Sequence, residues 1–151
     1  MATHRKLRDR TMTAERILGG MAVLKQQPRS LLDWVTLVRQ GLPTAVVDEV
    51  TKAVQLTQAE LSATLGIPER TLIRRKKEGV LSPEESTKLL RLARVVQRAV
   101  EVFEDPELAI DWLKTANRSL SGTPPLSLLD TDIGTESVLD TLGRIEHGVF
   151  A

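Results

Sequence analysis

Residues 56 to 77 constrain this chain more than any other stretch: Leu-Thr-Gln-Ala-Glu-Leu-Ser-Ala-Thr-Leu-Gly-Ile-Pro-Glu-Arg-Thr-Leu-Ile-Arg-Arg-Lys-Lys. They spell two short helices with a corner between them. Thr57 can accept from an orphan backbone N–H at the start of the first helix, and Glu60, three residues on, completes a capping box. Leu61 and Leu65 share a face at i, i+4 spacing. Gly66 supplies the left-handed backbone that ends a helix. Ile67 returns to the core, and Pro68 suits the first position of a second helix. That helix carries five cations in eight residues: Arg70, Arg74, Arg75, Lys76 and Lys77. A short helix, a glycine corner and a basic second helix are what a helix-turn-helix presents to DNA. The same pattern also describes an ordinary helical hairpin with a solvated basic face.

Laid on the usual twenty-residue helix-turn-helix pattern with Gly66 at the turn, Leu61, Leu65, Ile67 and Leu72 take buried positions. Arg75 falls where an apolar residue is usual, and Ile73 falls on the outward side. Either the second helix is slightly rotated, or Arg75 reaches from its edge to a phosphate or a carboxylate while Ile73 offers apolar contact to a thymine methyl. Arg70 and Arg74 are therefore expected as DNA contacts ahead of Arg75.

The net charge of +1 hides an asymmetry. Residues 1–100 hold 18 Lys/Arg and 10 Asp/Glu, whereas residues 101–151 hold 3 and 10. Such segregation predicts two surfaces with different partners. The basic part suits phosphate; the acidic part is repelled by DNA and should face something else. With only two Trp and two Phe, the core must be built from Leu, Val, Ile and Ala, which favours packed helices. There is no cysteine, so disulfides and thiolate metal sites are excluded, in keeping with a reducing cytoplasm. No apolar run approaches the roughly 18 residues that span a membrane, and no signal-peptide core opens the sequence.

In chain order, the polar, basic residues 1–13 read as a disordered tail. Ile17, Met21 and Leu24 recur at helical spacing, interrupted by Gly19 and Gly20. Ser30 caps a helix over 31–40 with Leu31, Trp34, Val35 and Val38 on one face, and Gly41 stops it. Pro43 opens a helix over 44–55 with Val46, Val47, Val50 and Val54 inward. Residues 14–55 thus form an N-terminal helical region that covers the helix-turn-helix and leaves apolar surface for a dimer. Ser82-Pro83-Glu84-Glu85 starts a helix to about Phe103, with Leu89, Leu92, Ala93, Val96, Val100 and Phe103 buried. Residues 56–104 are read as one DNA-binding domain and 105–151 as an acidic second one. In the latter, Asp105 caps a helix with Leu108, Trp112 and Leu113 inward. A Ser/Gly/Pro-rich loop follows, then a helix over 136–147 with Val138, Leu139, Leu142 and Ile145 on one side. The apolar end Val149-Phe150-Ala151 either folds back or inserts into a partner. No strand-length period-two alternation appears, so the expectation is all-α.

Enzymatic chemistry finds no foothold. The two histidines lie at opposite ends of the chain, no metal-ligand spacing or phosphate-cradling glycine loop occurs, and the C-terminal carboxylates read as a solvated face. Neither a cofactor nor a metal is expected.

A family pattern runs through Arg70 to Gly79, then Leu81-Ser82 with Glu85-Ser86, then Leu89 to Arg94. It continues through Trp112-Leu113, Asn117, Leu120, Gly122, Pro125-Leu126, Leu128-Leu129, Thr131, Gly134, Val138, Leu142, Arg144-Ile145-Glu146 and Gly148-Val149. On these residues the chain resembles the Xre-type antitoxins of RES–Xre toxin–antitoxin pairs, in the wider group that includes ParS and MbcA antitoxins. Ser121 departs from the pattern, standing where a second glycine is frequent before Gly122. The resemblance implies a non-enzymatic homodimer joined by its N-terminal helices. It also implies a Cro/repressor-like helix-turn-helix on the operator DNA of its own operon. A small α-helical C-terminal domain would bind a RES-domain toxin, a NAD-degrading enzyme, and block its active site. Implied DNA contacts are Gln58, Arg70, Thr71, Ile73, Arg74, Arg75 and Lys77. Implied toxin contacts are Asp140, Leu142, Arg144, Ile145, Glu146, Val149 and Phe150, the last two as an apolar plug. The alternatives are a DNA-binding regulator whose acidic domain senses a ligand or protein with no toxin partner, and a structural module that no longer binds DNA.

Overall fold

A computed structural model describes residues 12–148. The expected basic tail up to Arg10 and the apolar end Val149-Phe150 lie outside the described residues. Every regular element among the described residues is helical, and none is long and apolar enough to cross a membrane. The chain divides into two compact units at Ala93/Arg94, inside one long helix, rather than near 104 where the composition changes.

The first unit, residues 14–93, holds six helices and the start of a seventh. Gly19, at φ 105°, splits the expected first helix into α1 (Ala14–Ile17) and α2 (Gly20–Leu24). Ile17, Leu18 and Leu24 are buried, but Met21 points out, because the break resets the helical phase. In α3 (Leu31–Gln40) Ser30 accepts from the Asp33 N–H at 3.2 Å. Only Leu37 of this helix is fully buried, and Leu31, Leu32 and Val35 are exposed, so its inner face is turned from the expected one. Helix α4 (Ala45–Val54) buries Val46, Val47, Val50 and Val54 as expected. The corner residues then fix α5 (Gln58–Leu65) and α6 (Glu69–Glu78). Thr57 and Glu60 form the full capping box at 3.0 and 3.1 Å. Gly66 closes α5 at φ 65°, and the Ser62 hydroxyl donates to the Ile67 carbonyl across the turn. Pro68 caps α6 from one position outside it, with Leu72 as the buried knob.

Segment 41–44 pairs with 79–81: Leu81 N–H donates to the Leu42 carbonyl at 2.9 Å, and Thr44 N–H to that of Gly79 at 3.1 Å. Gly41 is required there, since a Cβ would collide with the Leu81 carbonyl oxygen. Helix α7 (Pro83–Phe103) opens on a second capping box, Ser82 with Glu85, at 2.8 and 3.1 Å.

The second unit takes the rest of α7, then α8 (Pro106–Lys114) and α9 (Asp132–Glu146), joined by 3₁₀ turns Arg118–Leu120 and Pro125–Leu128. Val95, Val96, Ala99, Leu113, Leu126, Leu129, Val138 and Leu142 are buried in this unit. Phe103 and Trp112 stack tilted at 5.6 Å. Leu108 is exposed rather than inward, and Ala109, Ile110 and Leu113 take the buried positions of α8. Helix α9 begins four residues before the expected start. Thr131 caps it by accepting from the Gly134 N–H at 3.0 Å. Gly134 therefore lies inside the first turn, where a side chain would collide with the Leu128 carbonyl.

Candidate functional sites

Helix α6 is built from two kinds of cation. Arg70, Ile73, Arg74 and Lys77 recur at i, i+3, i+4 and i+7, and all four are exposed on one outward face. Arg70 and Lys77 make no hydrogen bond or ion pair among the described residues; Arg74 lies 3.8 Å from Glu78. Thr71, half-buried, sits in the first turn with its N–H on the Pro68 carbonyl.

The inner cations are already bound. Arg75 Nε donates to Glu85 Oε1 at 2.8 Å, and its terminal nitrogen donates to Glu78 at 2.8 Å. In the free chain the Arg75 guanidinium, expected among the DNA contacts, is half-buried and held by two carboxylates. Of the two arrangements open to Arg75, the carboxylate is the one adopted. The Glu85 hydrogen bond, followed by that of Glu78, raises the Arg75 pKa. Burial pushes Glu85 up, but the Ser82 N–H, Arg75 and the Ser82 hydroxyl outweigh it, and the net shift is down. Glu85 thus serves two helices, capping α7 and holding α6. The Ser82–Glu85 cap was readable from spacing; the Arg75 contact was not. Lys76 is likewise tied inward, to Asp48 at 3.0 Å and Gln58 Oε1 at 2.8 Å. Gln58 is half-buried; its oxygen accepts from Lys76, and its NH₂ donors are left for another partner.

In the second unit Asp140 and Arg144 are exposed one turn apart on α9, and Ile145 is half-buried. Leu142 corrects the expected toxin contact: it is fully buried in the core and has no surface to offer. Glu146 is exposed but engaged. Arg98 on α7 grips it with both terminal nitrogens, at 2.8 and 2.7 Å. The hydrogen bond from Arg98 is the main reason its pKa is lowered. Val149 and Phe150 lie outside the described residues. Sequence reasoning did not place Ser119 and Ser121 in a site; both line a recess with Asp140 and Arg144. The departure at Ser121 was the available signal.

Comparison with known proteins divides the chain the same way. Residues 33–94 match the antitoxin Xre-like helix-turn-helix domain, and residues 98–148 match the antitoxin Xre/MbcA/ParS C-terminal toxin-binding domain. The chain is 38% identical over 119 residues to a protein named antitoxin Xre from Yersinia enterocolitica, covering 78% of this chain and 80% of that protein. It is 33% identical over 117 residues to the antitoxin Xre of Photorhabdus laumondii, covering 76% and 79%. A third antitoxin Xre, from Pseudomonas putida, is 31% identical over 114 residues, covering 75% and 70%.

Proposed function

The chain belongs to the antitoxin Xre family, and from that premise we propose that it neutralises a RES-domain, NAD-degrading toxin by blocking its active site, and represses its own operon. It does so as a cytoplasmic homodimer. The observation that carries the reading is the separation of charge between the basic residues 1–100 and the acidic residues 101–151, beside the two family-domain matches. Arg70, Arg74 and Lys77 give α6 a face of one sign, suited to backbone phosphates, with Ile73 among them for base contact. Thr71 and the NH₂ group of Gln58 flank it. The ten carboxylates of residues 101–151 complement a basic or nucleotide-binding cleft on the toxin. Asp140, Arg144 and Ile145 are its contacts, with Val149 and Phe150 as the plug. Dimerisation is supported by α3, where Leu31 is 68% and Leu32 77% exposed beside Val35. Paired half-sites are the usual way such helices gain affinity.

The test is co-expression with a RES-domain toxin, alongside retardation of the promoter DNA upstream of this chain's own gene. The wild-type chain should restore growth and retard the promoter. Arg70→Ala with Arg74→Ala should restore growth and lose retardation. Phe150→Ala should retard the promoter and rescue poorly. A wild-type chain that retards the promoter but leaves the cells poisoned is a regulator without that toxin as partner.

A further inference from the structure

The second unit contains a recess of about 370 Å³ between α9 and the loop after α8. Leu120 and Leu128 give it an apolar lining, while Ser119, Ser121, Asp140 and Arg144 bring polar groups to it. The other hydroxyls of the wall are committed to main-chain carbonyls: Thr123 to Leu120, Ser137 to Ile133 and Thr141 to Ser137. The side chains of Ser119, Ser121, Asp140 and Arg144 make no hydrogen bond or ion pair among the described residues. Asp140 and Arg144 are spaced to pair along the helix, Asp first, and do not. Ser121 holds φ at 58°, a left-handed conformation that costs a residue with a Cβ. A glycine there would relieve the backbone and remove the hydroxyl.

Concave apolar sites with a few convergent polar groups are where ligands are fixed in orientation. The occupant must satisfy a cation and an anion one turn apart. A bare anion meets Asp140 and the acidic surplus of residues 101–151; a bare cation meets Arg144. A neutral group carrying both an acceptor and a donor suits both. We propose that the recess receives an extended main-chain segment of the toxin, whose carbonyl oxygen accepts from Arg144 and whose N–H donates to Asp140. The Ser119 and Ser121 hydroxyls bind the flanking peptide group, and Leu120 and Leu128 contact a small apolar side chain. The proposal rests on the reading that this unit binds a toxin, and it gives that reading a docking point on the described surface.

The test measures the affinity of the full-length chain for the RES-domain toxin from which it rescues cells, purified as an inactive variant. Asp140→Asn and Arg144→Gln should each weaken binding about ten- to a hundredfold, as expected for hydrogen bonds to charged groups. Ser121→Gly should raise the melting temperature yet weaken binding by roughly three- to tenfold. Arg70→Ala, in the other unit, should leave toxin affinity unchanged. If the wild-type chain binds the toxin and Asp140→Asn and Arg144→Gln bind equally well, the recess is not the docking point, and the toxin reading stands. If the wild-type chain does not bind the toxin, the reading itself falls. If Ser121→Gly gains stability at full affinity, the hydroxyl has no part in recognition.

Discussion

Helices α6 and α9 both turn charged faces outward, and they are held in opposite ways. Helix α6 buries one side chain fully, Leu72. Its inner edge is fixed by charge: Arg75 on Glu85, and Lys76 on Asp48 and Gln58. Helix α9 buries Thr135, Val138, Thr141 and Leu142 and is fixed mainly by packing, with one exposed ion pair, Arg98–Glu146, at its end. The outward faces differ too. Arg70, Arg74 and Lys77 share one sign, which fits a polyanion whose phosphates repeat. Asp140 and Arg144 are of opposite sign, a pattern suited to discriminating between partners rather than to a polyanion. The aim of α6 should therefore respond to pH and to loss of a carboxylate, and that of α9 to loss of volume or an added side chain.

The strongest break on the α9 side is Gly134→Val. A side chain there strikes the Leu128 backbone, which cannot swing aside as a flexible side chain can. A loss above about 4 kcal/mol in the second unit is expected, at the far end of single substitutions. Growth rescue should vanish, while promoter retardation by residues 14–93 persists. Thermal unfolding followed in both assays checks this. Parallel loss of retardation means that the two units fold together, and the contrast between them weakens.

On the outward face of α6, Arg70→Ala and Arg74→Ala should each cost roughly 1–3 kcal/mol of operator binding with relaxed specificity if they read bases. A uniform loss with a shallower salt dependence assigns them to phosphate instead. Titration of the promoter and a scrambled duplex at several salt concentrations separates the two.

Arg75→Met examines the polar anchoring of α6. It leaves the Glu85 carboxylate buried against α7 with its capping contacts but no cation. Because Glu85 is shifted down in the folded chain, the pair's contribution is complete above the ordinary carboxyl value of 4.5. It is lost as pH falls through the folded value. Arg75 itself, its pKa raised by the same carboxylates, stays charged throughout. The melting temperatures of wild type and variant should differ at pH 7, and the gap should close as pH falls below 4.5 and through the lowered folded value of Glu85. Operator affinity should drop evenly across sequences, since the helix is misaimed rather than deprived of a contact. A constant gap from pH 7 to pH 3 would show that packing, not charge, fixes α6.

What was legible in the sequence was local. The Thr57–Glu60 and Ser82–Glu85 boxes, the Gly66 corner and the valines of α4 each depend on spacings of three or four residues, and each is in place. What was not legible depends on neighbours distant in sequence. Periodicity finds an apolar face on α3 and α8 but not how it is turned, so Leu31, Val35 and Leu108 were expected inward. Gly134 looked like a lead-in to a helix because its reason, the Leu128 carbonyl, lies across a turn. Arg75 could not be assigned without Glu85, ten residues on and in another helix. Leu142 is a contact on resemblance alone; the apolar side it shares with Val138 at i+4 is the buried one.

The smallest effect concerns the end of α9. Arg98 and Glu146 are each about a third exposed, 32% and 38%, so water and salt weaken their attraction. Arg98→Gln should scarcely change the melting temperature, yet it frees the last turn of the helix. Amide exchange over residues 143–147 should quicken, toxin affinity should fall less than for Asp140→Asn, and operator binding should stay as it was. Glu146→Gln is the partner experiment. If both variants weaken the toxin complex equally, the pair acts as one anchor, positioning the helix end from which Val149 and Phe150 follow. If Glu146→Gln weakens it and Arg98→Gln does not, Glu146 leaves Arg98 to meet the toxin directly. In that case α9 also reorganises a polar contact on binding, and the contrast with α6 holds only for the free protein.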